Sequence, residues 1–166
     1  YMRADVRPLG DFPTERRLAD YRFPPVSAEY LERIRLLCER EGIRLVLFKA
    51  PSLYPPWHDQ WEAQVQAYAD EHGLAYVNCI PRIGEIGLDF NRDTYDGGLH
   101  MNVYGAEKLT KYLGSFLKEE CELADHRGEQ DLAGIWQEKI RFYDAMKAGQ
   151  EADVREYGYL PQFAED

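Results

Sequence analysis

The stretch "TYDGGLHMNVYGAEKL", residues 94 to 109, places an acid, two glycines and a histidine directly before a helix-like run. Histidine is the side chain best suited to take and return a proton near neutral pH. A carboxylate beside it fixes its tautomer and offsets the charge of the imidazolium that forms. His100 is therefore a candidate general base, and Asp96 its orienting acid. Gly97 and Gly98 let the chain turn back sharply between them, which a residue with a Cβ would resist at positive φ. The following helix N-terminus opposes charging of the ring while the carboxylate favours it, so spacing alone sets no direction for its pKa. A plainer reading stands beside this one. Asp-Gly-Gly is a common turn, a histidine before a helix often bonds only a backbone carbonyl, and an Asp/His pair without a nucleophile is a weak signal.

The chain has three serines to offer as nucleophile. Ser27 reads as a helix cap and Ser115 faces out of a helix. Ser52, in "KAPSLYP", sits at the correct end of a strand but lacks a G-x-S-x-G elbow and glycines for an oxyanion hole, so it reads as a turn residue. His58, His72 and His126 have no ligand spacing, and Cys38, Cys79 and Cys121 form no C-x-x-C pair, so neither a metal nor a disulfide framework is suggested. No glycine-rich phosphate cradle follows either strand, which speaks against a nucleotide cofactor, and no cofactor is expected. Tyr54, Trp57 and Trp61 cluster in "SLYPPWHDQW". They suit an acyl or sugar pocket, and equally a core or a hydrophobic staple. Tyr54 and Trp57, with Asn102, are the candidate substrate contacts.

The elements that must position these residues follow from periodicity. Residues 1–26 hold four of the nine prolines and read as an extended lead-in. Ser27 then looks like the N-cap of a helix with Tyr30, Leu31, Ile34, Leu37 and Cys38 on one face and Gly42 as its stop. "IRLVLFK" reads as a buried strand, Ile43 to Lys49. A second helix runs from about Asp59 to Glu71, and "LAYVNCI" is a second strand. After a loop from about Gly84 to Met101, Asn102 caps a helix whose face is Ala106, Leu109, Leu113, Phe116 and Leu117. A last helix spans roughly Asp131 to Lys147. Residues 27–148 thus form one α/β region, and 149–166 an acidic tail. Helices alternating with apolar strands imply a parallel sheet. Two strands alone cover neither their edges nor their faces, so either residues 1–26 contribute a strand or, the favoured reading, further strands lie upstream of residue 1; a third possibility is self-association through the unpaired edges.

Composition bounds the rest. A chain of 166 residues, 45% hydrophobic and 30% charged, is ordinary for a globular domain. A formal charge of -10 argues against a nucleic-acid partner, because phosphate binding needs a basic surface. There is no apolar run long enough to span a membrane and no signal-peptide pattern, yet Tyr1 is an unusual first residue, so a targeting or anchoring segment of a parent protein is conceivable.

From Ser27 to Leu117, through "IRLVLFKAPSLYP" and "AYVNCIPRIGEIGLDFNRDTYDGGLHMNVYGAEKLTKYLGSFL", the chain resembles the C-terminal half of the SGNH/GDSL hydrolase-like proteins. The likeness is to bacterial members related to D-alanine transfer and polysaccharide acetylation, and "DHRGEQDLAGIWQEK" is similar to their tail. The resemblance implies a flavodoxin-like three-layer α/β parallel sheet, of which this chain is the C-terminal part. It also implies a Ser-His-Asp esterase or O-acyltransferase acting on an acyl ester or acylated carbohydrate, with an extracytoplasmic or membrane-anchored parent. His100 would be the base and Asp96 the acid. The family spacing is Asp-x-x-His, whereas three residues separate Asp96 from His100, so Asp93 stands as the other choice. The family's Gly-Asp-Ser nucleophile block, oxyanion glycine and oxyanion asparagine are absent from these residues, so the nucleophile is expected upstream and the chain alone inactive. The alternative is a non-catalytic interaction or accessory domain with a structural Asp/His turn.

Overall fold

The computed structural model describes residues 2–13 and 17–164, and the chain divides into two units, Phe12–Arg82 and Tyr1–Asp11 with Ile83–Asp166.

In the unit Phe12–Arg82, helix α1 spans Pro25–Arg40. Proline at the first helical position gives up an amide that has no intrahelical partner anyway, and its φ is already helical. The cap is Pro24, and the Ser27 amide bonds the Pro24 carbonyl at 2.9 Å, so Ser27 lies inside the first turn and is not the N-cap expected of it. Ion pairs Glu29–Arg33, Glu32–Arg35 and Arg35–Glu39 run along the helix, at the three- and four-residue spacings that bring side chains together on one face. Strand β1 follows at Val46–Lys49, helix α2 at Asp59–His72 and strand β2 at Ala75–Asn78. Gly73 ends α2 with φ of 61°, a left-handed conformation that glycine adopts without Cβ strain. The strands pair in parallel, Val46 beside Ala75 through Lys49 beside Asn78. Ala69, Val77 and Cys79 form the buried centre of this unit.

The other unit begins with residues 2–11, which form no helix or strand. They are held by scattered backbone bonds: the Arg7 amide to Thr94, the Gly10 amide to Gly97, and the Val103 amide to Arg3. Gln150 accepts from the Ala4 amide and donates to the Met2 carbonyl, at 2.8 and 2.9 Å. A short helix α3, Ile83–Ile86, precedes the loop that leads to α4, Val103–Glu120. Helix α5 runs Gln130–Tyr157, ten residues beyond the Lys147 end expected from periodicity, and a 3-10 turn, Pro161–Phe163, follows. Ala4, Ile86, Val103, Cys121 and Leu160 are its buried apolar residues, with Asp93, Thr94, Asn102 and Gln150 buried beside them.

The flavodoxin-like three-layer sheet is therefore a wrong expectation. The described residues are 52% helix and 6% strand, and β1 and β2 make the whole of the sheet. Alternation of helix and apolar strand implies parallel pairing, and that pairing is present. It does not create additional strands, and the rest of the described residues are helix and loop. Among the described residues no helix is long and apolar enough to cross a membrane.

Candidate active site

The loop before α4 is built from its far end inward. Asn102 caps α4, its Oδ1 accepting from the Tyr104 and Gly105 amides at 3.0 and 3.1 Å. Its amide nitrogen donates to the Arg92 carbonyl at 2.8 Å and the Asp5 carbonyl at 3.2 Å. Fully buried with both polar atoms engaged, Asn102 is not a substrate contact but the residue that seats the loop. Gly105 lets the loop lie against the helix: a Cβ there would stand 2.4 Å from the Asp93 carbonyl oxygen, closer than any packing allows. Thr94 and Met101 then form an antiparallel bridge that closes the segment between them.

Asp96 and His100 meet inside that closed segment. Gly97 and Gly98 take φ of 82° and 109°, values that L side chains rarely adopt, and they carry the chain back over the acid. Asp96 Oδ1 accepts from the His100 amide at 2.7 Å and the Leu99 amide at 3.1 Å. Its Oδ2 lies 2.5 Å from His100 Nδ1. Partial burial raises the Asp96 carboxyl, but the hydrogen bonds and charge of His100 and the Leu99 amide outweigh it and hold the group below its ordinary value. Asp93, the other candidate acid, is buried and bonded to Lys108 Nζ and the Asp89 amide, each at 2.7 Å. The structure brings Asp96 to His100 and ties Asp93 into the packing beneath α4.

With Nδ1 directed at the carboxylate, Nε2 is left as the proton-accepting edge, and the His100 side chain is 69% exposed. The Tyr95 ring stacks on the imidazole, centroids 5.9 Å apart and planes 14° from parallel. The Arg3 guanidinium in turn covers Tyr95 at 4.7 Å. The pair can hold a proton taken from a group that approaches from solvent. Among the described residues, no serine, threonine or cysteine side chain is hydrogen-bonded to His100.

Tyr54 and Trp57 lie in the unit Phe12–Arg82. Tyr54 stacks on Phe12 at 5.4 Å, and its bond to Pro55 is cis. Trp57 packs on Trp61 and Phe23 and donates its indole N–H to Glu62 Oε2 at 2.7 Å. The same oxygen also accepts from the Tyr76 hydroxyl and the Asn78 side-chain Nδ2, at 2.7 and 2.8 Å. Burial, then the Glu62 bond, raise the Tyr76 phenol well above its ordinary value. Neither Glu62 nor Lys49 stood out in the sequence. Lys49 ends an apolar strand and lies three residues before Ser52, and that spacing was the signal available. Among the described residues no three His, Cys, Asp or Glu side chains are grouped to hold a metal ion.

Comparison with protein families, curated proteins and solved structures finds no match for the chain.

Proposed function

We propose that His100 and Asp96 are the base and orienting acid of a Ser-His-Asp esterase or O-acyltransferase, as the SGNH/GDSL resemblance implies. Its substrates are acyl esters of carbohydrate or cell-envelope polymer, and its serine comes from upstream of this chain. The supporting observation is the 2.5 Å contact between Asp96 Oδ2 and His100 Nδ1, made by a ring whose other edge faces solvent. The serine oxygen attacks the ester carbonyl carbon while Nε2 takes the hydroxyl proton, and Asp96 steadies the imidazolium. Collapse of the tetrahedral intermediate breaks the bond to the alcohol, which leaves with that proton. Water or a sugar hydroxyl then takes the acyl group by the reverse sequence.

The test is hydrolysis of acetylated sugars and p-nitrophenyl acetate by the full-length protein that contains this segment. His100→Ala should lower kcat by ~10²–10⁴, the usual contribution of a positioned base, with KM little changed. Unchanged turnover in that variant would contradict the proposal.

One observation favours a second reading, an accessory or interaction domain. Asp96 Oδ1 is spent on two amides of its own turn, as a purely structural acid would be. Under that reading His100→Ala leaves turnover intact while Asp96→Ala loosens the loop.

A further inference from the structure

At the carboxyl end of β1, away from His100 in sequence and in the other unit, a lysine meets a serine. Lys49 is the last residue of the strand, and its Nζ lies 2.8 Å from Ser52 Oγ and 3.0 Å from the Ala50 carbonyl. Both side chains are half-buried. The Trp57 ring lies 5.2 Å from the ammonium. Among the described residues no carboxylate is within ion-pair distance of Lys49, and its hydrogen-bond partners are neutral oxygens. The end of a parallel strand is where α/β folds gather reactive groups, because the connecting loops converge there.

We infer that Ser52 and Lys49 form a second nucleophile and base pair, a serine activated by lysine, that takes the acyl group of an ester with a polyhydroxylated alcohol. The alcohol portion is argued from the neighbouring surface: Trp57 lines, with Arg17, Tyr21, His58, Asp59 and Gln60, an open cleft of about 440 Å³. An indole with polar side chains around it suits stacking on a sugar ring and hydrogen bonding to its hydroxyls. Neutral Lys49 takes the Ser52 proton as Oγ bonds the carbonyl carbon. The resulting ammonium stays beside the developing negative charge. When the bond to the alcohol breaks, that oxygen receives the proton from Lys49, leaving an acyl-serine that water hydrolyses.

The surroundings of Lys49 suit the task. Burial pushes its ammonium below the ordinary lysine value, while the charges of Cys79 and Glu62 favour the protonated form and oppose that push. These are the charged and titratable groups that face it, Glu62 from α2 and Cys79 from the residue after β2, and Trp57 covers it from the loop. This site does not depend on the His100 reading.

The test is labelling of this 166-residue chain with a fluorophosphonate, read by intact mass and peptide mapping. Oγ displaces fluoride at phosphorus and Lys49 takes the proton. The expected result is one adduct, on Ser52, with Ser27 and Ser115 unmodified. Its rate rises with pH toward an inflection below the ordinary lysine value of 10.5. Lys49→Met and Lys49→Arg each slow labelling by ~10²-fold or more, since arginine keeps the charge but gives up no proton in this range. Both variants are checked for an unchanged circular dichroism melt. Absence of a Ser52 adduct overturns the inference, as does an adduct indifferent to Lys49→Arg or a rate without that pH dependence. Either failure leaves the His100 proposal standing, because that one is read on a different serine.

Discussion

Asp96 grips His100 at two points, Oδ1 on its backbone amide at 2.7 Å and Oδ2 on its ring Nδ1 at 2.5 Å. The amide bond, with that of Leu99, sets the turn; the ring bond sets the tautomer. One carboxylate therefore folds the loop and orients the imidazole.

The tautomer is the first consequence. In the neutral ring the proton should sit on Nδ1, with Nε2 bare. Asp96→Asn presents an N–H₂ group to Nδ1 as readily as an oxygen, so the population should move toward the Nε2–H form. Long-range ¹H–¹⁵N correlation spectra of the imidazole distinguish the two directly. A parent chain already in the Nε2–H form would show that the short contact does not orient the ring.

Acid should open the turn. The folded-state Asp96 carboxyl lies below its ordinary value of 3.8, so the stabilisation it supplies is fully present above that value and is lost as pH falls through the lower, folded one. Amide exchange at Leu99 and His100 should accelerate below pH 3.8, ahead of amides within α4. Simultaneous loss of protection across loop and helix would contradict a local opening.

Gly105→Ala should destabilise the helical unit. The added carbon would lie 2.4 Å from the Asp93 carbonyl oxygen and 3.0 Å from its Cβ, so α4 or the loop must shift. Overpacking of this kind costs about 1–3 kcal/mol, read as a lower denaturation midpoint with an unchanged m-value. Gly114, further along the same helix, has nothing within 4 Å of such a carbon, and Gly114→Ala should be neutral or mildly stabilising.

Asn102 separates capping from loop anchoring. Asn102→Ala removes the acceptor for two amides and the donor for two backbone carbonyls, a loss of roughly 1–3 kcal/mol. Asn102→Asp retains the acceptor but sets a carboxylate oxygen against the Arg92 carbonyl. Chemical denaturation of both variants should therefore show destabilisation, and an Asn102→Asp chain as stable as the parent would mean the two donor contacts contribute nothing.

What the sequence disclosed was local. Gly73 after α2, Asn102 before α4 and the two apolar runs at β1 and β2 each carry their own signal within a few residues, and each appears where it was read, with shorter strands than expected. Fold class was not local. It rested on the SGNH/GDSL resemblance and on strands inferred to complete the sheet, and the helical remainder contradicts it. The end of α5 was hidden because Gly149 and the acidic residues from Glu151 onward weaken the apolar period that marks a helix, although the helix continues to Tyr157. At the site, spacing could not choose between Asp93 and Asp96. The choice follows from φ at Gly97 and Gly98 and from Lys108 reaching Asp93, a contact fifteen residues apart. Ser52 stands out in the sequence as a serine at a strand end but reads as a turn residue there, because the lysine whose amine reaches it is the strand's own last residue and only the fold shows that contact.

The most direct test of the central claim is fluorophosphonate labelling of the full-length protein that contains this segment, with Ser52→Ala present to remove the second proposed nucleophile. The expected result is a single adduct on a serine upstream of residue 1, lost in His100→Ala and slowed in Asp96→Asn. No upstream adduct, or one that forms equally fast without His100, would contradict it and leave the Asp96–His100 turn as structure alone.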